Sequence, residues 1–149
     1  MMKNIVLTGF MGTGKSEVAR ELSRLRGMRL IDIDREIETS QQKSISDIFS
    51  LYGEDYFREI ETTAILQFAS EQGVIISTGG GAVLKEENLK ALQAHGIIFC
   101  LTASPETIML RTASNNDRPL LQCDDRQLRI AELLAERQPF YEKAGIMID

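Results

Sequence analysis

At 149 residues the chain has about the size at which one hydrophobic core is filled, so a single compact domain is expected and a multidomain layout is not. Hydrophobic residues make up 43% and charged residues 26%, which excludes a disordered chain, a collagen-like repeat and a coiled-coil rod. A net charge of -5 and a pI near 5.0 leave no bulk positive field for DNA, RNA or anionic lipid, so neither a nucleic-acid nor a membrane partner is expected.

In chain order the pattern is strand, then helix, repeated. Ile5-Val6-Leu7 is a short apolar run that predicts a first strand. A glycine loop follows, then a helix with Val18, Leu22 and Leu25 on one face that Gly27 terminates. Met28 to Ile33 predicts a second strand. Ile45 to Gln72 reads as mostly helical, with Phe57, Ile60, Ala64 and Phe68 on one stripe and Gly73 as the stop. Val74-Ile75-Ile76 is a third strand, Leu84 to Ala94 a helix and Ile97 to Leu101 a fourth strand. Ser104-Pro105-Glu106 starts a helix with proline at its tolerated first position, and Ile108 to Thr112 forms its body. Residues 113 to 122 lose all periodicity; Asp124 or Asp125 then caps a helix to about Gln138, and Ile146 to Ile148 begins a fifth strand. Continuous apolar strands separated by helices predict a parallel sheet covered on both faces.

Cys100 and Cys123 form no C-x-x-C pair and have no nearby histidine, so neither a disulfide framework nor a structural zinc site is expected. The first residues do not read as a signal peptide: the run from Ile5 to Met11 contains Thr8 and Gly9 and lacks a small-x-small cleavage site. No apolar stretch approaches the roughly 20 residues that span a bilayer. A cytoplasmic protein with reduced thiols is expected. The single histidine, His95, precedes Gly96 at a predicted helix end, which leaves no partner for a histidine-based triad.

The strongest chemical signal is Gly9-Phe10-Met11-Gly12-Thr13-Gly14-Lys15-Ser16, a complete G-x-x-x-x-G-K-[ST] between a predicted strand and a predicted helix. Its glycines let backbone N–H groups and the positive helix end face a polyphosphate, Lys15 reaches the terminal phosphates, and Ser16 is placed to ligate magnesium. An ordinary strand-helix turn needs neither the lysine nor the hydroxyl. Nucleoside triphosphate binding is therefore expected. A GTPase is not, because none of the eleven glycines has an aspartate three residues before it and Asn-Lys-x-Asp is absent.

Other candidate groups fall at the carboxyl ends of predicted strands, where open α/β sheets bind ligands. Asp32 and Asp34 flank Ile33 after the second strand; alone they would read as solvated acids before a helix, with Asp34 as its N-cap. Gly79-Gly80-Gly81 follows the third strand and lets a small polar molecule approach main-chain N–H groups. Arg58 stands three residues before Glu61 on one helix, a spacing that by itself suggests a surface ion pair worth about 0.3 to 0.5 kcal/mol. Arg111, Arg118 and Arg137 would each pass singly for solvated charges.

Together these residues resemble the shikimate kinase family, over a span from Asn4 to Asp149. The resemblance rests on the phosphate loop, Ile31-Asp32-Ile33-Asp34 with Ile37-Glu38, Ser44-Ile45, Ile48-Phe49, Gly53-Glu54 and Phe57-Arg58 with Glu61. It continues through Ser77-Thr78-Gly79-Gly80-Gly81, Arg118-Pro119-Leu120-Leu121, and Arg137 with Pro139 and Tyr141. The resemblance implies a three-layer α/β/α P-loop kinase fold on a five-stranded parallel sheet, with 1–149 as one domain, a lid at about 113–122 and a shikimate-binding helical region at about 34–72. It implies transfer of the ATP γ-phosphoryl to the 3-hydroxyl of shikimate, with Mg²⁺, in the route to chorismate and the aromatic amino acids.

Carried over by the same resemblance, Gly12, Thr13, Gly14 and Lys15 hold the phosphates, Ser16 and Asp32 organise magnesium, and Asp34 contacts the reacting hydroxyl. Arg58 and Arg137 grip the shikimate carboxylate, Gly79, Gly80 and Gly81 meet its hydroxyls, Arg118 swings in from the lid, and Arg111 flanks the adenine. Phe49 and Phe57 serve equally well as pocket wall or as core. The sequence stops at the fifth strand, where family members usually continue through an adenine loop and a final helix. A monomer is the default. Two alternatives share the phosphate loop: another small-molecule kinase, such as a gluconate kinase, and a regulatory or scaffold protein that binds nucleotide without catalysis. Intact Lys15, Ser16, Asp32 and Asp34 weigh against the latter.

Overall fold

The computed structural model describes residues 2–112 and 125–149. Five parallel strands form one sheet in the order β2-β3-β1-β4-β5, comprising β1 (Asn4–Gly9), β2 (Leu30–Asp32), β3 (Ile75–Ser77), β4 (Gly96–Leu101) and β5 (Ile146–Ile148). Six α-helices accompany them among the described residues: α1 (Lys15–Arg26), α2 (Ile33–Gln41), α3 (Ile45–Ala69), α4 (Glu86–His95), α5 (Pro105–Thr112) and α6 (Arg126–Ala144). The predicted α/β class and strand count are borne out. None of these helices is long and apolar enough to cross a membrane.

Strand alternation divides the core in two. Val6, Ile31, Ile76, Ile98 and Cys100 face a large cluster that includes Ile37, Ile48, Phe57, Ile65, Leu92 and Tyr141 from α2, α3, α4 and α6. Leu7 and Ile75, with Ile5, Leu30 and Phe99 beside them, face a smaller cluster with Ala19 of α1. The expected apolar face of α1 holds at Leu22, which packs against this cluster, and is corrected at Leu25. Ala19 is its buried residue, whereas Leu25 is 63% exposed, and Val18 and Leu22 line an apolar hollow of about 760 Å³ over β1 and β4. Asn4, itself buried, donates to the Glu71 carbonyl at 2.8 Å and accepts from the Val74 amide at 3.1 Å, which ties the start of β1 to the entry of β3.

Several helix boundaries differ from expectation, α4 among them, which starts at Glu86 rather than Leu84. The N-cap of α2 is Asp32, whose carboxylate accepts from the Arg35 amide at 3.3 Å, so Asp34 lies inside the first turn. α3 ends at Ala69 and is kinked at Gly53, whose φ of 86° belongs to the left-handed region that glycine tolerates. α6 runs past Gln138 and carries Pro139 in its interior. Ile130, Leu133, Arg137, Tyr141 and Ala144 share its buried face. Continued burial of Tyr141 and Ala144 offsets the roughly 3 kcal/mol that an interior proline costs.

The strand order places the site. From β1 the chain crosses to β2 on one side, and from β3 it crosses to β4 on the other. The crevice at the carboxyl ends of neighbouring β1 and β3 is therefore a topological switch point, where α/β sheets bind ligands.

Candidate active site

At that crevice the loop after β1 makes a tight turn on three glycines with positive φ: Gly9 at 132°, Gly12 at 79° and Gly14 at 94°. A methyl group at Gly9 would also overlap the Leu101 carbonyl oxygen, so packing against β4 and backbone conformation both demand glycine there. Gly14 caps α1 without any side-chain hydrogen bond, which leaves the first amides of a 12-residue helix facing the cavity. Lys15 Nζ donates to the carbonyls of Gly9 at 2.7 Å and Phe10 at 3.0 Å, which holds the ammonium across the loop mouth. Arg111 at the end of α5 donates to the Gly12 carbonyl at 3.0 Å.

Neighbouring β3 delivers Gly79-Gly80-Gly81, and here glycine serves close approach rather than unusual backbone, since none of the three has positive φ. A methyl group at Gly79 would stand 3.2 Å from both Asp34 Oδ1 and Glu61 Oε2. At Gly80 it would stand 3.1 Å from Arg137 Nη1, and at Gly81 2.5 Å from Arg58 Nη2. The turn is thus a bare surface against which the charged side chains of α2, α3 and α6 lie. Backbone access was the expected purpose of these glycines; room for side chains is an additional one.

The Arg58–Glu61 pair is not the surface pair that helix spacing suggests. Glu61 is fully buried and accepts from Arg58 Nη1 at 2.9 Å, while Arg58 also meets Glu54 at 3.3 Å. Burial pulls the Arg58 guanidinium down, but Glu61 and Glu54 outweigh it and hold its pKa above the ordinary arginine value. Burial lifts the Glu61 carboxyl above its ordinary value, against the pull of Arg58 and Arg137. Arg137 is 3% exposed, with its guanidinium carbon 5.6 Å from the centroid of the Phe10 ring. Its Nη1 has no hydrogen-bond partner among the described residues, a buried donor placed for an incoming acceptor. Phe57 is core and wall at once: it is buried, lines the cavity, and packs 4.9 Å from the half-buried ring of Phe49.

One cavity of about 710 Å³ contains nearly every residue that the sequence singles out: Gly12, Gly14, Lys15, Ser16, Asp32, Asp34, Arg58, Gly79, Gly80, Gly81, Arg111 and Arg137. Thr13 is the exception. Its side chain turns back to donate to the Phe10 carbonyl at 2.7 Å, and the residue lines the apolar hollow instead. Arg118 and the segment 113–122 lie outside the described residues.

Glu38 gains a role that spacing did not show. Its Oε2 accepts from the Ile45 amide at 3.0 Å, which fastens the first turn of α3 to α2 along the cavity wall. Tyr141 likewise proves to be a buried neighbour of the glycine turn, with its hydroxyl donating to the Gly80 carbonyl at 2.6 Å.

A family model described as shikimate kinase matches residues 11–149. The chain belongs to the shikimate kinase family. It is an ATP-dependent kinase of the P-loop fold. The shikimate kinase of Thermodesulfovibrio yellowstonii is 47% identical over 148 residues, covering 99% of this chain and 86% of the relative. That of Thermoanaerobacter pseudethanolicus is 45% identical with the same coverage of both. Among solved structures, the shikimate kinase of Acinetobacter baumannii in complex with shikimate superposes with a TM-score of 0.97 at 35% identity, covering 100% of this chain and 84% of that one.

Proposed function

We propose that the chain transfers the γ-phosphoryl of ATP to the 3-hydroxyl of shikimate, giving shikimate 3-phosphate and ADP, and that the lining residues divide this work by position. The observation that carries the reading is one cavity with a phosphate loop at one end and two arginines at the other, Arg137 buried and Arg58 partly buried. Shikimate offers one carboxylate and three hydroxyls. Guanidinium groups suit the carboxylate, while Asp34 and the amides of Gly79 to Gly81 suit the hydroxyls.

In this reading the amides of the loop and of α1, with Lys15, hold the triphosphate, and Arg111 lies beside the adenine. Ser16 and Asp32 would be the oxygen donors for Mg²⁺, Asp32 through the oxygen that does not cap α2. They line the same cavity, and a pair of oxygens suits an ion that keeps waters and binds substrate phosphates rather than an all-protein cage. Bound there, the ion would neutralise phosphate charge. Asp34 accepts the proton of the attacking hydroxyl as the new O–P bond forms and ADP departs. Burial of the arginines fixes the acceptor in line, which supplies most of the rate in a reaction that needs little covalent help. In this reading the enzyme works in the cytoplasm, in the route to chorismate.

The test is ADP release from ATP and Mg²⁺ with shikimate, gluconate or no acceptor, with mass spectrometry of the product. Shikimate-dependent release yielding a monophosphorylated product supports the reading. Gluconate-dependent release, or nucleotide binding without any acceptor-dependent turnover, contradicts it.

A further inference from the structure

Tyr141 lies on the buried face of α6, one turn beyond Arg137. It is 2% exposed, and its hydroxyl donates to the Gly80 carbonyl at 2.6 Å across 61 residues of sequence. The Arg137 guanidinium approaches the same peptide: a methyl group at Gly80 would stand 3.1 Å from Arg137 Nη1 and 3.4 Å from the Tyr141 hydroxyl. Burial pushes that hydroxyl up to about 12, with Arg137 pulling the other way, so it remains a donor throughout the neutral range. Tyr141 does not itself line the cavity. Its hydroxyl instead joins two groups that do: the glycine turn on β3 and the α6 helix that carries Arg137.

We propose that Tyr141 is a positioning residue, whose hydroxyl bond to the Gly80 carbonyl fixes the distance between the glycine turn and the Arg137 guanidinium and so couples hydroxyl recognition to carboxylate recognition. The inference rests on the shikimate reading above. Without the hydroxyl, Gly80 loses a hydrogen bond and α6 loses that polar anchor to the turn, so Arg137 and Gly79 to Gly81 no longer share one frame. The acceptor then meets one group or the other in good geometry. The nucleotide end keeps its own hydrogen bonds, Lys15 to the Gly9 and Phe10 carbonyls, and feels the change only through the contact of Gly80 with the Gly9 carbonyl.

Tyr141→Phe tests this, because the phenyl ring retains the packed volume and removes only the oxygen. A neutral hydrogen bond is worth about 0.5 to 1.5 kcal/mol, so KM for shikimate is expected to rise about two- to twelvefold. KM for ATP should change much less. In an Arg137→Lys background the same substitution should have a much smaller effect, because the geometry it protects is already lost. A purely structural tyrosine would lower the thermal midpoint, leave the ratio of the two KM values unchanged and act equally in both backgrounds; that result overturns the proposal. No shikimate-dependent turnover in the unaltered chain would overturn the substrate reading and the proposal together. Normal turnover with an unchanged shikimate KM in Tyr141→Phe overturns the proposal alone.

Discussion

The two ends of the cavity are built from different materials. The phosphate end is mainly backbone: glycines with positive φ, the open amides of α1, and a lysine folded over the loop carbonyls. The acceptor end is mainly side chain, with Arg58, Glu61 and Arg137 brought from α3 and α6 onto a glycine turn after β3. Backbone recognition suits a ligand part common to many enzymes, since any strand-loop-helix of that geometry binds a polyphosphate. Side chains held by burial and by each other suit the part that distinguishes one acceptor from another.

The largest expected effect breaks the phosphate end. Lys15→Ala should lower kcat by roughly 10² to 10³, the scale of losing one preorganised charge-stabilising donor, while shikimate affinity measured by calorimetry without nucleotide remains near that of the unaltered chain. A parallel loss of both would mean that the two ends are not separable.

Next in size is the acceptor end. Arg58→Ala should raise KM for shikimate about 10- to 100-fold, because a charged hydrogen bond is worth about 1.5 to 3 kcal/mol, with KM for ATP nearly unchanged. Gly81→Ala should reproduce part of this rise, since its φ of -97° suits alanine and its added methyl would collide with the Arg58 guanidinium. Steady-state kinetics with each substrate varied separately reads both. If Gly81→Ala is silent, Arg58 binds the acceptor from some other position.

The smallest effect is on stability and sharpens the account of Glu61. The folded carboxyl holds its proton more tightly than the unfolded one, whose ordinary value is 4.5. Its contribution is therefore fully present below that value and is lost as pH rises through the folded value. Glu61→Gln should flatten this part of the stability profile in urea titrations across the weakly acidic range. An unaltered slope would show that Glu61 ionises as freely in the folded protein as in the unfolded chain.

Legibility in sequence follows the same division. The phosphate loop is eight consecutive residues with a recognisable order, and the strand-helix alternation that frames it is equally local. The acceptor end is assembled from residues far apart in the chain, so each arginine alone reads as a surface charge, and only their joint occurrence in a family pattern pointed to a site. Helical spacing showed that Arg58 and Glu61 are neighbours, but not that Glu61 is fully buried, because its burial depends on groups far off in sequence, with Gly79 of the glycine turn lying against its Oε2. The Tyr141 bond to Gly80 lies across two elements and has no local signature. Gly53 was a visible glycine in a helical run, but whether it kinks, as here, or merely weakens the helix depends on what the two halves pack against. The path of α6 beyond Pro139 was hidden for a similar reason: local propensity forbids it and tertiary burial overrides it.

The central claim is that the Arg58 and Arg137 guanidinium groups read the acceptor's carboxylate. Titration calorimetry of the unaltered chain with shikimate and with its methyl ester tests this without any mutation. The account predicts that shikimate binds and that the ester, equal in ring and hydroxyls but uncharged, binds at least about tenfold more weakly, as expected for loss of a charge-assisted hydrogen bond. Equal affinities would contradict it, because the arginines at the acceptor end would then not be what recognises the substrate.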